Sequence, residues 1–207
     1  YLRFDHCRIP ADHCLGEPGH GFEIAQSRLG RGRIHHAMRA VGRCAQALEM
    51  MLERAVSRTT RGSLLGDKQA IQHAIADSWI QLQQFRLQTL HAAWTVDQSG
   101  ARAARAEIAG VEVALPTVVA DITQRAMHLH GALGVSNEMP FGPMVTTAAI
   151  LGLLDGPTEV HKSSLARALL KEVEPSASGW PSEHLPERTA AARKRFADLL
   201  EREQANR

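Results

Sequence analysis

The run Ile34 to Val56, IHHAMRAVGRCAQALEMMLERAV, decides the architecture. Its apolar residues Ile34, Ala37, Met38, Val41, Ala45, Leu48, Met51, Leu52 and Val56 recur at helical spacing, and Phe22, Ile24, Ala25 and Leu29 extend the pattern upstream. A stripe of this kind predicts a long amphipathic helix with one face in a core. The two glycines between Arg58 and Gly66 end it.

Working outward, a second helix is expected over roughly 68–98, with Ile71, Ile75, Trp79, Leu82, Phe85, Leu90 and Trp94 as its core stripe. A third is expected over 101–129, kinked at Pro116 and closed by Gly131-Ala132-Leu133-Gly134. A fourth spans about 143–154 and a fifth runs from Pro157 to near Val173. Long amphipathic helices with short connections predict an all-α protein, an antiparallel four-helix bundle. The expected organisation is an extended segment over 1–19, a helical bundle over 20–174, and a linker with a peripheral charged helix over 175–207.

Composition is that of an ordinary globular chain, with 44% hydrophobic and 22% charged residues. A net charge of +2 argues against a nucleic-acid-seeking surface. Three cysteines, Cys7, Cys14 and Cys44, make no even disulfide framework and point to a reducing compartment. His6-Cys7 and His13-Cys14 fit no common zinc spacing. No apolar run reaches the roughly 18 residues that span a bilayer. The opening, Tyr1-Leu2-Arg3-Phe4, reads as the middle of a longer protein.

The chemistry concentrates in Leu154-Asp155-Gly156-Pro157-Thr158-Glu159-Val160-His161, one carboxylate on a Gly-Pro turn between helical segments. Such a loop, held by packed helices, presents an acid or base to a cleft. The same residues also serve a helix start, with Gly156 as N-cap, Pro157 at N1 and Glu159 at N3.

Over residues 1 to about 173 the chain resembles the C-terminal part of an acyl-CoA dehydrogenase. The matching pieces stand in order: Arg8-Ile9-Pro10, Gly19-His20-Gly21-Phe22, Leu29-Gly30-Arg31-Gly32-Arg33-Ile34, Arg58-Thr59-Thr60-Arg61-Gly62, Gln69-Ala70-Ile71, His130-Gly131-Ala132-Leu133-Gly134 and Asp155-Gly156-Pro157-Thr158-Glu159. The resemblance implies that residues 1–19 close a middle β-domain. It makes Asp155 the base that takes the α-proton of an acyl-CoA thioester, where the larger branch of the family has Glu. Asp shortens the reach by about 1.5 Å. Arg33 is implied at the substrate entrance, Arg58 and Gln69 at the FAD of a neighbouring subunit, and His128, Gly131, Ala132 and Gly134 at its adenine end. Pro157, Thr158 and Glu159 are implied to line the flavin. Each has a plainer reading, as a solvated or helix-terminal arginine, a glycine cap or a first-turn residue.

This sequence departs from the usual family pattern at Arg61 for Phe, Glu112 for Lys, His128 for Gln, Ala132 for Gly and Pro157 for Thr; the Asp-Gly-Pro form is similar to a sub-branch that also carries Asp. The resemblance implies an FAD enzyme of fatty acid β-oxidation that removes the α-proton and transfers a β-hydride to flavin, the enolate being held by the Asp155 N–H and an FAD hydroxyl. Its implied partners are an acyl-CoA substrate, an electron-transfer flavoprotein and further copies in a homodimer or homotetramer. Its implied location is the bacterial cytoplasm, or mitochondria or peroxisomes in a eukaryote. An acyl-CoA oxidase of the same fold, or a non-catalytic, DNA-associated or scaffolding bundle, remain the alternatives. Residues 1–207 alone are expected to bind FAD weakly and to turn over no substrate.

Overall fold

The structure, a computed structural model, describes residues 1–205. The chain divides into two units, Tyr1–Ala168 and a second from Leu169 onward. In the first, α1 (Gly21–Ser57), α2 (Gln69–Ala103), α3 (Arg105–His130) and α4 (Phe141–Leu151) form the expected all-α bundle, and α5 (Thr158–Lys171) begins there. Helix α3 is central and packs against α1, α2 and α4.

Periodicity explains this arrangement. On α1, Ala37, Ala40, Val41, Cys44, Ala47, Leu48, Met51 and Ala55 are buried, a row that returns to one face every three or four residues. The small side chains in that row let α1 approach its neighbours closely. Helix α3 contributes Val111, Leu115, Val118, Val119, Ile122 and Ala126, which share one broad face of the helix. Phe85 from α2 and Phe141 from α4 complete the core, both nearly inaccessible.

The connections carry their own chemistry. Between α1 and α2, β1 (Thr59–Thr60) pairs antiparallel with β2 (Ser63–Leu64). Arg61 and Gly62 between them have φ of 49° and 80°. Two positive φ angles in a two-residue loop match the right-handed twist of a hairpin. Gly100, at φ 81° and ψ 160°, breaks helical geometry one turn before α2 ends. Gly134 lies so close to the end of α3 that a Cβ there would sit 2.1 Å from the Met127 carbonyl oxygen.

Several expectations need correction. Trp79, Leu90 and Trp94 are exposed, at 55%, 43% and 59%, and of the expected α2 stripe only Leu82 and Phe85 are fully buried. Helical spacing shows that residues share a face, not that the face is covered within the same chain. His35 is exposed and His36 half-buried. Pro116 lies inside α3, which runs from Arg105 to His130. Residues 1–19 are exposed and irregular apart from a 3-10 turn at Ala11–His13, with no strand among them.

The second unit holds α6 (Leu185–Arg195) and α7 (Ala197–Ala205), two helices meeting at Phe196 where one had been expected. Within it the Trp180 and His184 rings stack at 4.5 Å. No helix in the described residues is long and apolar enough to cross a membrane.

Candidate functional site

The turn from α4 into α5 is built around Asp155. The Gly152 carbonyl accepts the Thr158 N–H at 3.1 Å and the Thr158 hydroxyl at 3.3 Å, closing the loop on itself. The chain between must reverse sharply, and it does so with Asp155 at φ 54° and Gly156 at φ 114°. Among residues with a Cβ, Asp and Asn occupy this left-handed region most readily, because the short polar side chain bonds locally. A longer Glu is less at ease there. The local backbone thus supplies a physical reason for the shorter acid.

Four side chains surround that turn. Arg33, on α1, donates from Nη2 to the Asp155 carbonyl oxygen at 2.6 Å, while its own Nε is buried without a partner. His36, one helical turn further on α1, places Nε2 3.9 Å from Asp155 Oδ2. The Asp155 side chain keeps a quarter of its surface open, at 25%. Glu112, on α3, is 4% exposed, with Oε1 unpartnered. Burial pushes its carboxyl up to about 7; the Arg33 charge pulls the other way and the Asp155 charge adds to the rise. His161, on α5, is also buried, and burial together with Arg33 lowers its pKa, against the opposing pull of the Asp155 and Gly156 backbone and the Asp155 carboxylate. The Asp155 N–H makes no hydrogen bond among the described residues. A carboxylate, a free N–H and a fixed cation therefore converge on one half-open turn, which suits proton transfer beside a developing oxyanion.

The sequence-derived residues fall into two groups. Arg33, Asp155, Pro157, Thr158 and Glu159 lie at the turn, with Pro157 and Glu159 exposed. The Thr158 hydroxyl is already spent on closing the loop. Pro157 lies just outside the first helical residue rather than at N1. Arg58 and Gln69 flank the hairpin, and His128, Gly131, Ala132 and Gly134 lie at the end of α3. Arg58, Gln69, His128, Gly131 and Ala132 are exposed, and Gly134 is buried. Arg33 in α1 and Arg58 at its C-cap stand 25 positions apart, about 37 Å at 1.5 Å per residue.

At Gly131, φ is 64° and ψ −138°, and at Gly134 the packing leaves no room, so both glycines have local reasons to be glycine. Sequence reasoning passed over three residues of the turn cluster. His36 was detectable as the i+3 neighbour of Arg33 on one helix face. Glu112 stood out only as a departure from the family pattern, and His161 closed the quoted octet without a role.

The residues match known proteins over most of the chain. Residues 19–170 match the family model described as acyl-CoA dehydrogenase, C-terminal domain. Acyl-CoA dehydrogenase family member 11 of Rattus norvegicus is 44% identical over 171 residues, covering 83% of this chain and 22% of that protein. Butyryl-CoA dehydrogenase of Megasphaera elsdenii superposes with a TM-score of 0.72 at 31% identity, over 78% of this chain and 42% of that one. The FAD complex of PigA superposes with a TM-score of 0.74 at 25% identity, over 80% of this chain and 43% of that one. The chain thus spans well under half the length of each. Matched over most of its length by that model, and sharing its fold with solved members, the chain belongs to the acyl-CoA dehydrogenase family.

Proposed function

We propose that this chain is the C-terminal part of an FAD-dependent acyl-CoA dehydrogenase, in which Asp155 removes the α-proton of an acyl-CoA thioester. The observation that supports it best is the Asp155 turn, a half-open carboxylate whose main chain is gripped by Arg33. Family membership adds the reaction class. Residues 1–19 are then the end of a preceding domain, which with the rest of the protein completes the acyl-CoA pocket.

The residues present fit FAD. An exposed arginine fork at Arg58 suits phosphate oxygens, and exposed Gln69, at the start of α2, offers an amide. These lie far from Asp155, so the cofactor at one Asp155 turn is shared with the distal group of a second copy, a homo-oligomeric arrangement. Bound there, FAD would supply the acceptor for a hydride from the substrate. The chain's own part is to hold the thioester Cα against Asp155, receive the proton on a carboxylate oxygen, and offer the Asp155 N–H to the thioester oxygen. An electron-transfer flavoprotein is the proposed final acceptor.

Replacing Asp155 with Asn in the full-length enzyme tests the reading. Loss of substrate-driven flavin bleaching at retained flavin content supports it, and bleaching at the original rate sinks it.

A further inference from the structure

Beneath the proposed base lies a residue with no assigned role. His161 is the buried residue of α5, 7% exposed, and its Nε2 is enclosed without a hydrogen bond. That nitrogen sits 3.0 Å from the point a Cβ on Gly156 would occupy. The imidazole therefore underlies the peptide that follows Asp155, and glycine is required above it by contact as well as by its φ of 114°. Arg33 also holds the Asp155 carbonyl. The turn is held by a guanidinium from α1 and an imidazole from α5. We propose that His161 is a positioning residue that fixes the direction of the Asp155 carboxylate by supporting the Asp155–Gly156 peptide from below.

This inference rests on Asp155 being the base. The groups that act on the ring are Arg33 from α1, the Asp155 and Gly156 main chain, and the Asp155 carboxylate. Burial first, and then the Arg33 charge, disfavour a cationic ring beneath the turn, so the supporting form is the neutral ring. A strut of this kind acts on geometry. Displacing a base by about 1 Å costs up to two orders of magnitude in rate while leaving remote substrate contacts intact.

The test uses the full-length, FAD-loaded protein with His161→Ala, His161→Gln and His161→Asn. The expected result for H161A is a kcat per flavin about 10- to 100-fold lower with KM little changed. H161Q, whose amide nitrogen reaches the position of Nε2, recovers most of the loss, and H161N, which is too short, does not. Should H161A lose its flavin, the Gln–Asn comparison decides, and equal kcat in those two variants overturns the proposal. A kcat for H161A close to the parent's overturns it as well. In the apo protein, the ring resonances of His161 should titrate below the ordinary histidine value and move upward in an Arg33→Gln variant; a ring titrating as in free histidine contradicts this arrangement. Asp155→Asn separates the two readings. An active D155N removes the base assignment and this inference with it, whereas an inactive D155N beside unaffected His161 variants removes this inference alone.

Discussion

Arg33 Nη2 reaches the main-chain carbonyl of Asp155 at 2.6 Å across 122 positions of sequence. The first helix of the bundle thereby fixes the orientation of a turn laid down near the end of the first unit. The same guanidinium carries the positive charge that Glu112 and His161 both sense.

Replacing Arg33 with Lys keeps the charge but loses the planar fork. The expected outcome is a kcat about tenfold lower, with flavin content retained. Arg33→Ala goes further, because it leaves the Asp155 carbonyl and Glu112 without their cation. It is expected to lower unfolding free energy by about 1–3 kcal/mol, measured by urea titration, and to raise the Glu112 pKa further.

Glu112 and His161 make opposite contributions to stability as pH changes. Glu112 titrates at about 7 in the fold against 4.5 unfolded, so stability is fully present below 4.5 and declines as pH rises toward about 7. The loss is at most about 3 kcal/mol. His161, lowered from 6.5, withdraws stability as pH falls below that value. Urea midpoints followed across this range should therefore lose their alkaline decline in Glu112→Gln and part of their acid decline in His161→Gln. An unchanged alkaline slope in E112Q would show that Glu112 is not the group responsible.

Arg61 is held at φ 49° in the hairpin loop ahead of Gly62. Asn is at home in that region and Arg is not. Arg61→Asn is expected to stabilise the fold by about 1 kcal/mol, seen as a higher urea midpoint.

Gly134→Ala should do the reverse. Its Cβ would meet the Met127 carbonyl at 2.1 Å, so the end of α3 must shift. A loss of about 1–3 kcal/mol is expected, with fluorescence or calorimetry as the readout. A neutral effect would mean that the turn after α3 yields freely.

The helices were legible because residues such as Ala37, Val41, Leu48 and Met51 repeat with the period of one buried face. The exposed tryptophans were not, because Trp79 and Trp94 share the spacing of core residues and sequence does not say what covers them. At the site, Asp155 and Arg33 were readable through the family resemblance. Their junction was not, since a side chain meeting a carbonyl 122 positions away leaves no local signal. Glu112 and His161 were hidden for a related reason: their chemistry comes from burial, which only packing reveals. The hairpin at Arg61-Gly62 escaped because arginine is an unusual occupant of a positive-φ position.

The most direct measurement follows the substrate's α-hydrogen itself. The full-length protein, loaded with FAD and given an acyl-CoA in deuterated water, should wash deuterium into the α-carbon, and Asp155→Asn should lower that exchange by about a thousandfold or more. Exchange in D155N persisting within a few-fold of the parent would place the base elsewhere.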